Sequence, residues 1–370
     1  MRAVSDLRVV VTHDFAETYG GAERVTQELA ASFPNGPVVA LLGRPEVASR
    51  MGVADRFRSV LPPRTRLLRH YRPLAPAFPA RARAARLPEA DVLISSSYGF
   101  AHHFSAPPGA LHVCYCHSPL RFAWSMTEEY GDIWANGPLT GAAFGALAAA
   151  MRRVDRRGAQ TVDAYLTQAD FVADLIGRCY GRRAEVIGAP VDCELFRPDG
   201  EPDDYFLLCG RLVEPYKRAT VVVDAFRRLP SRLVVAGDGP ALPELRRMAS
   251  PNVEFVGHLE DAELVEAMQR CRAVLFPSRD DFGLIPLEVM ACGRPVLAYA
   301  AGGALSTVRA GVTGEFFAEQ TPAAVEQAVR AFEPERYDPG EIRRHAERWD
   351  RMEFRRRVVA AVERAHEAAR

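Results

Sequence analysis

The sequence predicts an α/β protein built in two halves, each a parallel sheet with helices on both faces. Two observations support this fold class. Short runs rich in β-branched residues alternate with helical patterns along nearly all of the 370 residues, as expected for strand–helix–strand units. The alternation fails once, around residues 188–202, where glycine and proline cluster, and such a break is typical of a domain boundary.

The first half holds predicted strands at residues 8–12, 38–42, 91–95 and 111–116, with a helix at 23–32. The second half holds predicted strands at 205–209, 232–236, 253–256, 273–276 and 295–298, with helices at 219–228, 241–248, 262–271 and 286–291. Both halves are therefore Rossmann-like. The turn at Gly188-Ala189-Pro190 gives predicted domains 1–188 and 189–345, followed by a segment at 346–370 with amphipathic helical spacing.

Composition excludes several classes of function. Equal numbers of acidic and basic residues, 47 of each, give no global basic field, so we expect no nucleic-acid partner. Seven cysteines without a CxxC pair fit neither a disulfide framework nor a zinc knuckle. No Asp-x-Asp occurs, and the adjacent His102 and His103 cannot share a helix face. We therefore expect no metal ion and no cofactor.

The N-terminal residues lack the order of charge and apolar length that marks a signal peptide, so a cytoplasmic location is expected. The weakly polar run at 137–151 is too short to span a bilayer, and we interpret it as a buried helix. Between Arg56 and Arg86 nine arginines occur without any acidic residue, interleaved with leucines and aromatic residues. This stretch is either a contact with anionic lipid at the inner face of the membrane or an ordinary solvated surface.

The most informative segment runs from Phe276 to Val296. A strand is followed by a glycine-bearing loop and by Pro286, which suits the first turn of a helix. Backbone amides at Gly283, Leu284 and Ile285, after Phe282, would then face a bound phosphate. Carboxylates at Asp280 and Glu288, the latter expected on the first helical turn, would accept hydrogen bonds from sugar hydroxyls.

The spacing of Asp280 and Glu288 is that of a paired-acid E-x7-E motif, and Ala291-Cys292-Gly293-Arg294-Pro295-Val296 continues it. The chain resembles the retaining family 4 glycosyltransferases of the GT-B fold, and among them the bacterial mannosyltransferases. The motifs that support the resemblance follow in the family's order over nearly the whole chain: Gly20-Gly21-Ala22-Glu23, Gly210-Arg211-Leu212 with Lys217, Gly237-Asp238-Gly239-Pro240 and Phe255-Val256-Gly257. Asp280 departs from the family, which usually has glutamate at that position.

The resemblance implies roles for these residues. Arg211 and Lys217, the only lysine among 47 basic residues, would hold the donor diphosphate without a metal. Glu288 would bind the ribose, while Asp280 and the amides near Gly283 would bind the sugar. Gly237 and Gly239 would lie in the donor-binding loops.

The first half has two segments of interest. Gly20-Gly21 precedes a helix and allows a ligand to approach bare amides. The run Cys116-His117-Ser118-Pro119-Leu120-Arg121 follows a strand, and it looks like the segment that places a histidine near the donor sugar in bacterial mannosyltransferases. The resemblance therefore implies that His117 and Arg121 face the donor across a cleft between the two domains.

The sequence thus predicts a metal-independent, retaining hexosyltransferase that uses a nucleotide diphosphate sugar, with GDP-mannose as the expected donor. The acceptor would be a glycan or a lipid-linked sugar in cell-surface polysaccharide or glycolipid synthesis. Two alternatives stay open: a transferase that uses UDP-glucose or UDP-galactose, and a sugar-nucleotide-binding protein without turnover. The resemblance also implies that the final helix returns to the N-terminal domain.

Overall fold

The computed structural model describes residues 7–61, 72–127, 130–131 and 138–369. They form two compact units. The first unit extends to Ala189 and resumes at Met352, and the second extends from Pro190 to Arg351. The chain therefore passes between the units twice. Both units are α/β structures, as the sequence predicted.

The first unit is built on a seven-stranded parallel sheet. Its strands are β1 (Val9–Ala16), β2 (Val38–Gly43), β3 (Phe57–Leu61), β4 (Val92–Ser97), β5 (Leu111–Cys116), β6 (Ala164–Thr167) and β7 (Ala184–Val186). Their order is β3-β2-β1-β4-β5-β6-β7. Val11 pairs with Val38 on one side of β1, and Val9 pairs with Val92 on the other. The winding reverses between β1 and β4, and ligands of such sheets bind at the carboxyl ends of the strands at this point.

Helices cover this sheet because its central strands are apolar and buried on both faces. The helices are α1 (Gly21–Ser32), α2 (Pro45–Arg50), α3 (Phe78–Ala84), α4 (Pro138–Ala159) and α5 (Asp170–Tyr180). One part of the core is aromatic, since the Phe78 ring lies 5.2 Å from Phe15 and 5.3 Å from Phe100 between ring centroids. Edge-to-face and tilted pairs at this distance add to the stabilisation from burial.

The second unit has a six-stranded parallel sheet in the order β10-β9-β8-β11-β12-β13. The strands are β8 (Tyr205–Cys209), β9 (Arg232–Ala236), β10 (Val253–Gly257), β11 (Ala273–Phe276), β12 (Val296–Tyr299) and β13 (Gly314–Phe317). The helices are α6 (Ala219–Phe226), α7 (Leu242–Met248), α8 (Asp261–Arg270), α9 (Leu284–Ala291), α10 (Ala304–Thr307), α11 (Pro322–Ala331) and α12 (Pro339–Ala346). Here the winding reverses between β8 and β11.

The final helix, α13 (Arg351–Ala368), belongs to the first unit from Met352 onward. Its Phe354 is buried and lies edge-on to Tyr115 at 5.6 Å. Arg355 Nε lies 2.6 Å from Glu28 Oε2 on α1. An apolar anchor and an ion pair therefore attach the end of the chain to the N-terminal sheet and helices.

Some sequence predictions differ from the structure. Strands β3, β6, β7 and β13 were missed. They lie at or next to the edges of the two sheets, and three of them are largely half-buried, so they lack the apolar runs of the central strands. The helix predicted to be buried at 137–151 is amphipathic instead: Phe144, Ala148 and Met151 are buried, whereas Ala142 and Ala143 are exposed. Its alanines and glycines fit an exposed face as well as a buried one.

The predicted basic stretch is divided by the structure. Arg56 is partly buried, and its guanidinium donates to the carbonyls of Ala30, Phe33 and Gly36 at the end of α1, so it caps that helix. Arg58, Arg81, Arg83 and Arg86 are exposed. Arg64, Arg66 and Arg69 lie outside the described residues, and so does the side chain of Arg72. In the described ranges no helix is both long and apolar enough to span a bilayer.

Candidate functional site

The loops that follow β8 and β11 meet where the winding of the second sheet reverses. Lys217 lies on the first loop and Asp280 on the second, and Lys217 Nζ lies 2.5 Å from Asp280 Oδ2. Their side chains are only 19% and 14% exposed. The structure therefore brings together two residues that are 63 positions apart in sequence, as the sequence motifs implied. A partly shielded, charge-assisted bond of this length is strong.

Close backbone packing fixes the loop that carries Arg211 and Lys217. Gly210 N–H donates to Ala236 O at 3.0 Å, and Leu212 N–H donates to Asp238 O at 2.9 Å. A Cβ atom on Gly237 would lie 1.9 Å from Gly210 O, and one on Gly239 would lie 2.3 Å from Leu212 O. Only glycine fits at either position. The predicted donor-binding glycines therefore shape the loop of Arg211, whose side chain is exposed.

The N-terminus of α9 opens at the same edge of the sheet. Gly283 is its N-cap with φ of 82°, and Leu284 and Ile285 are the first two helical residues. Their backbone N–H groups have no intrahelical acceptor, and the helix dipole adds partial positive charge there. Phe282 is buried and holds the loop in place. This end of the helix is suited to a phosphate group.

Glu288 is buried at 4% exposure and is the fifth residue of α9. The prediction that it lies on the first turn is therefore wrong, because the helix begins at Leu284, two residues before Pro286. Burial and the negative charge of Glu288 raise the pKa of the Cys209 thiol at the end of β8. Glu288 thus lies close to the loop of Arg211, although one turn deeper than expected.

Sequence reasoning missed Gly302 and Gly303, which support the Asp280 loop from the end of β12. Gly303 N–H donates to Asp280 O at 2.9 Å. A Cβ atom on Gly303 would lie 2.2 Å from Phe282 Cα. The Gly-Gly pair could have been noticed after a predicted strand, but glycine pairs are common in turns.

In the first unit, His117 follows β5 and is 5% exposed. Its Nε2 lies 2.8 Å from Ser96 Oγ, and its carbonyl accepts from Gln168 Nε2 at 3.0 Å. Burial above all, then the charges of His13 and Arg121, lower the pKa of His117 to about 3. His117 is therefore neutral at physiological pH, and Arg121 lies near it as the motif suggested.

Gly20 and Gly21 lie at the start of α1, where Gly20 N–H donates to Glu23 Oε2 at 2.9 Å. Glu23 therefore accepts the hydrogen bond of one of the backbone amides that we expected to face a ligand. The remaining N–H groups at this end still lack intrahelical partners.

The structure gathers His102, His103 and Asp155 in the interior of the first unit, with one donor atom of each within 4.8 Å of the others. Burial lowers the pKa of His102, but the hydrogen bond and charge of Asp155 outweigh burial and raise it overall. Asp155 also accepts from Trp124 and Tyr180, and Arg83 Nη2 lies 3.3 Å from His103 Nδ1. A donor at Nδ1 places the His103 proton on Nε2, so we interpret this cluster as a buried ion pair rather than a metal site.

Two family models match the chain. Residues 19–195 match glycosyltransferase family 4, and residues 203–332 match the glycosyl transferases group 1. Together these segments cover most of both units.

Curated relatives include D-inositol 3-phosphate glycosyltransferases. The enzyme of Mycobacterium avium is 35% identical over 159 residues, which is 37% of this chain and 37% of that protein. The enzyme of Catenulispora acidiphila is 33% identical over 192 residues, which is 43% of this chain and 46% of that protein. The similarity thus spans less than half of either relative.

Among solved structures, Anabaena HepE in complex with UDP and glucose matches with a TM-score of 0.71 and 17% identity, covering 96% of this chain and 99% of that one. The sucrose-phosphate synthase of Thermosynechococcus elongatus matches with a TM-score of 0.68 and 16% identity, over 98% and 100% of the two chains. At these identities the likeness concerns the fold, which is the two-domain GT-B fold.

Proposed function

The chain belongs to the group 1 and family 4 glycosyltransferases, and from this premise we propose that it transfers a hexose from a nucleoside diphosphate sugar to an acceptor hydroxyl with retention of configuration. The ion pair of Lys217 and Asp280 is the observation that supports this proposal most directly. It joins a cation suited to phosphate and an anion suited to sugar hydroxyls beside the N-terminus of α9.

Donor binding would exchange one partner of Lys217 for another. In the absence of donor, Asp280 neutralises the ammonium group at 2.5 Å. A diphosphate carries more negative charge than one carboxylate, so it would take over Lys217 together with Arg211 and the amides of α9. Asp280 would then be released to accept hydrogen bonds from the sugar, and Glu288 from the ribose.

The proposed reaction needs no protein nucleophile. The bond between the anomeric carbon and the leaving phosphate oxygen breaks, and a bond from the acceptor oxygen forms on the same face of the sugar. The acceptor proton passes to the leaving phosphate. Lys217 and Arg211 would stabilise the charge that grows on the diphosphate, which is the electrostatic term that most lowers such a barrier.

The donor hypothesis is GDP-mannose, because of the segment with His117 and Arg121. A second candidate is UDP-glucose, which is favoured by the complexes of the structurally similar HepE with UDP, glucose and UDP-glucose. For the acceptor we propose a glycan or lipid-linked sugar, and the relatives add D-inositol 3-phosphate as a candidate. The exposed arginines 58, 81, 83 and 86 would bring the enzyme to anionic lipid on the cytoplasmic side of the membrane.

Turnover assays test the proposal. The protein is incubated with GDP-mannose, UDP-glucose or UDP-galactose, each with D-inositol 3-phosphate or a lipid-linked glycan. We expect one donor to release its nucleoside diphosphate in step with a product that keeps the donor's anomeric configuration, in EDTA as well as without it. An inverted product would contradict the proposed mechanism. Binding without turnover for every acceptor would favour the alternative of a sugar-nucleotide-binding protein.

A further inference from the structure

A chain of buried polar side chains connects the start of α1 with His117 inside the first unit. Its members, in order, are Gly20, Glu23, His13, Thr26, Ser96 and His117. Glu23 and Thr26 lie on α1, His13 lies on β1, and Ser96 lies on β4. His13, Thr26 and Ser96 are fully buried, and Glu23 is 6% exposed. This hydrogen-bond chain therefore crosses the first sheet between β1 and β4, where the winding of the sheet reverses.

Every link of the chain has hydrogen-bond length. Gly20 N–H donates to Glu23 Oε2, and Glu23 Oε1 lies 3.4 Å from His13 Nε2. His13 Nδ1 lies 2.9 Å from Thr26 Oγ1. Thr26 Oγ1 lies 2.8 Å from Ser96 Oγ, which lies 2.8 Å from His117 Nε2. The two imidazoles are thus joined through two hydroxyl groups.

The hydroxyl of Thr26 also lies 2.8 Å from the carbonyl of Ala22. That carbonyl is one turn back on α1 and already accepts the helical N–H of Thr26. A carbonyl oxygen can accept two hydrogen bonds, so the single proton of the Thr26 hydroxyl has two possible acceptors, Ala22 O and the next group of the hydrogen-bond chain.

Two arrangements of protons satisfy all four links between Glu23 and His117. When His13 is neutral, His117 Nε2–H donates to Ser96, Ser96 to Thr26, Thr26 to His13 Nδ1, and His13 Nε2–H to Glu23. When His13 is protonated, its Nδ1–H donates to Thr26, both hydroxyls turn, and Ser96 donates to His117 Nε2, so the His117 proton sits on Nδ1. A mixture of the two breaks at least one link of the hydrogen-bond chain. The other contacts of His13 Nδ1, with Ser96 Oγ at 3.2 Å and with Ser96 O at 3.3 Å, are longer than its contact with Thr26 Oγ1, so we expect a mixture to be less stable.

We propose that this hydrogen-bond chain couples the protonation of His13 to the tautomer of His117, and that Thr26, Ser96, His13 and Glu23 are positioning residues for His117. The Nδ1 atom of His117 would accept a hydrogen bond from a ligand hydroxyl while His13 is neutral, and would donate one when His13 is protonated. The consequence for turnover rests on the proposed function, whereas the coupling itself does not.

Other groups face the chain but do not interrupt it. Asp14 neighbours His13 on β1, and its carboxylate accepts from the backbone N–H groups of Tyr98 and Phe100 at 2.6 Å. The Tyr98 ring lies 5.8 Å from His13 and 6.3 Å from His117. The Tyr115 ring lies 5.3 Å from His117. Arg121 adds positive charge near His117.

Long-range ¹H–¹⁵N correlation spectra of histidine-labelled full-length protein test the coupling between pH 5.5 and 9. His13 and His117 are assigned with His13→Asn and His117→Gln. We expect His117 to be protonated on Nε2 when His13 is neutral and on Nδ1 when His13 is protonated, with both changes at the same pH. If His13 keeps one state throughout, His117 must show the tautomer that belongs to that state. The proposal would be overturned if neutral His13 occurred with the Nδ1–H tautomer of His117, if protonated His13 occurred with the Nε2–H tautomer, or if both tautomers were present in one state of His13.

Matched variants separate coupling from folding. Thr26→Val removes the hydroxyl and should uncouple the two histidines, whereas Thr26→Ser keeps the hydroxyl and should restore the coupling. Thr12→Val is the control, because Thr12 is equally buried on β1 but is not a member of the hydrogen-bond chain. If Thr26→Val does not fold, Glu23→Gln serves instead, and it should hold His117 as the Nε2–H tautomer over the whole range. If the His117 tautomer in either folded variant still changed with pH as it does in the wild type, the coupling would be contradicted.

Kinetics then address the role in turnover. We expect Thr26→Val to lower kcat about tenfold with little change in the KM for donor, and Thr26→Ser and Thr12→Val to stay near the wild-type value. An unchanged kcat and pH profile in Thr26→Val would show that the chain is only structural. If the wild type turns over no donor, the proposed function fails, while the spectra still decide the coupling.

Discussion

Lys217 Nζ and Asp280 Oδ2 lie 2.5 Å apart at the point where the second sheet reverses its winding. The two residues lie on the loops that follow β8 and β11. Their contact therefore holds the only lysine of the sequence in a defined position. A ligand that uses Lys217 must compete with Asp280.

That competition gives the first prediction. Asp280→Asn removes the competing charge, so we expect free GDP or UDP to bind at least a few fold more tightly than to the wild type. Transfer should fall, because the amide is a weaker acceptor for sugar hydroxyls. Calorimetric titration with the nucleotides and steady-state turnover measure the two effects. Asp280→Glu is the matched control that keeps the charge. Weaker nucleotide binding by Asp280→Asn would contradict the competition.

The second prediction concerns the support of the Asp280 loop. Gly303→Ala would place a Cβ atom 2.2 Å from Phe282 Cα, so the loop must shift, and we expect a loss of about 1–3 kcal/mol in stability together with weaker donor binding. Gly145→Ala is the control, since no atom lies within 4 Å of its added Cβ on α4. That change should be neutral or stabilising by up to about 1 kcal/mol. Chemical denaturation compares the two, and equal effects would refute the steric argument.

The third prediction is an acid sensitivity with a defined sign. Burial lowers the pKa of His112 and His117 to about 3 and that of His103 to about 4. Between about pH 6.5 and 4 the unfolded chain binds protons at these positions and the folded chain does not, so stability falls as the pH falls. Each histidine contributes about 1.4 kcal/mol per pH unit in that window.

Denaturation of His112→Gln at pH 7 and pH 5 checks this slope. We expect the variant to lose less stability than the wild type between the two values. His258→Gln is the control, because the His258 side chain is 69% exposed and should leave the slope unchanged. A slope that is the same in all three proteins would show that the buried His112 does not resist protonation.

The fourth prediction addresses the lipid hypothesis. Arg81 and Arg86 are exposed near α3, and their replacement by glutamate should weaken binding to vesicles of phosphatidylglycerol by about thirtyfold or more, since each basic residue near such a surface contributes about 1 kcal/mol. Arg227→Glu and Arg232→Glu, on the second unit, form the control pair. Co-sedimentation at low and high salt measures the effect. If both pairs of variants bound the vesicles equally, the basic stretch between Arg56 and Arg86 would be an ordinary solvated surface.

Sequence motifs predicted the positions of the second-unit candidate residues on loops after strands, because these residues follow the strands at fixed short distances. The loops after β8, β9 and β11 carry Lys217, Asp280 and the glycines 237, 239 and 283. These loops lie close together because the three strands are parallel and end at the same edge of one sheet. The depth of Glu288 was not predictable, because proline tolerates any position of the first helical turn. The exact start of α9 therefore had to come from the structure.

The first unit shows what sequence alone does not reveal. His13, Thr26 and Ser96 are polar residues inside apolar patterns. The pairing of β1 with β4 and the packing of α1 on both strands bring them together. His102 and Asp155 are likewise 53 positions apart. Hydrogen-bond partners at such separations depend on tertiary packing, which no local pattern encodes. His117 was found because of its motif, whereas the groups that bind it were not.

Ligand-induced thermal stabilisation of the wild type and Lys217→Ala, with GDP, GDP-mannose, UDP and UDP-glucose in the presence and absence of EDTA, tests the central claim most directly. A ligand that binds the folded state raises the melting temperature. We predict that one nucleotide and its sugar stabilise the wild type with or without EDTA, and that Lys217→Ala loses most of this effect while Arg227→Ala keeps it. No stabilisation by any nucleotide, or equal stabilisation of Lys217→Ala, would contradict the assignment of a diphosphate site to Lys217.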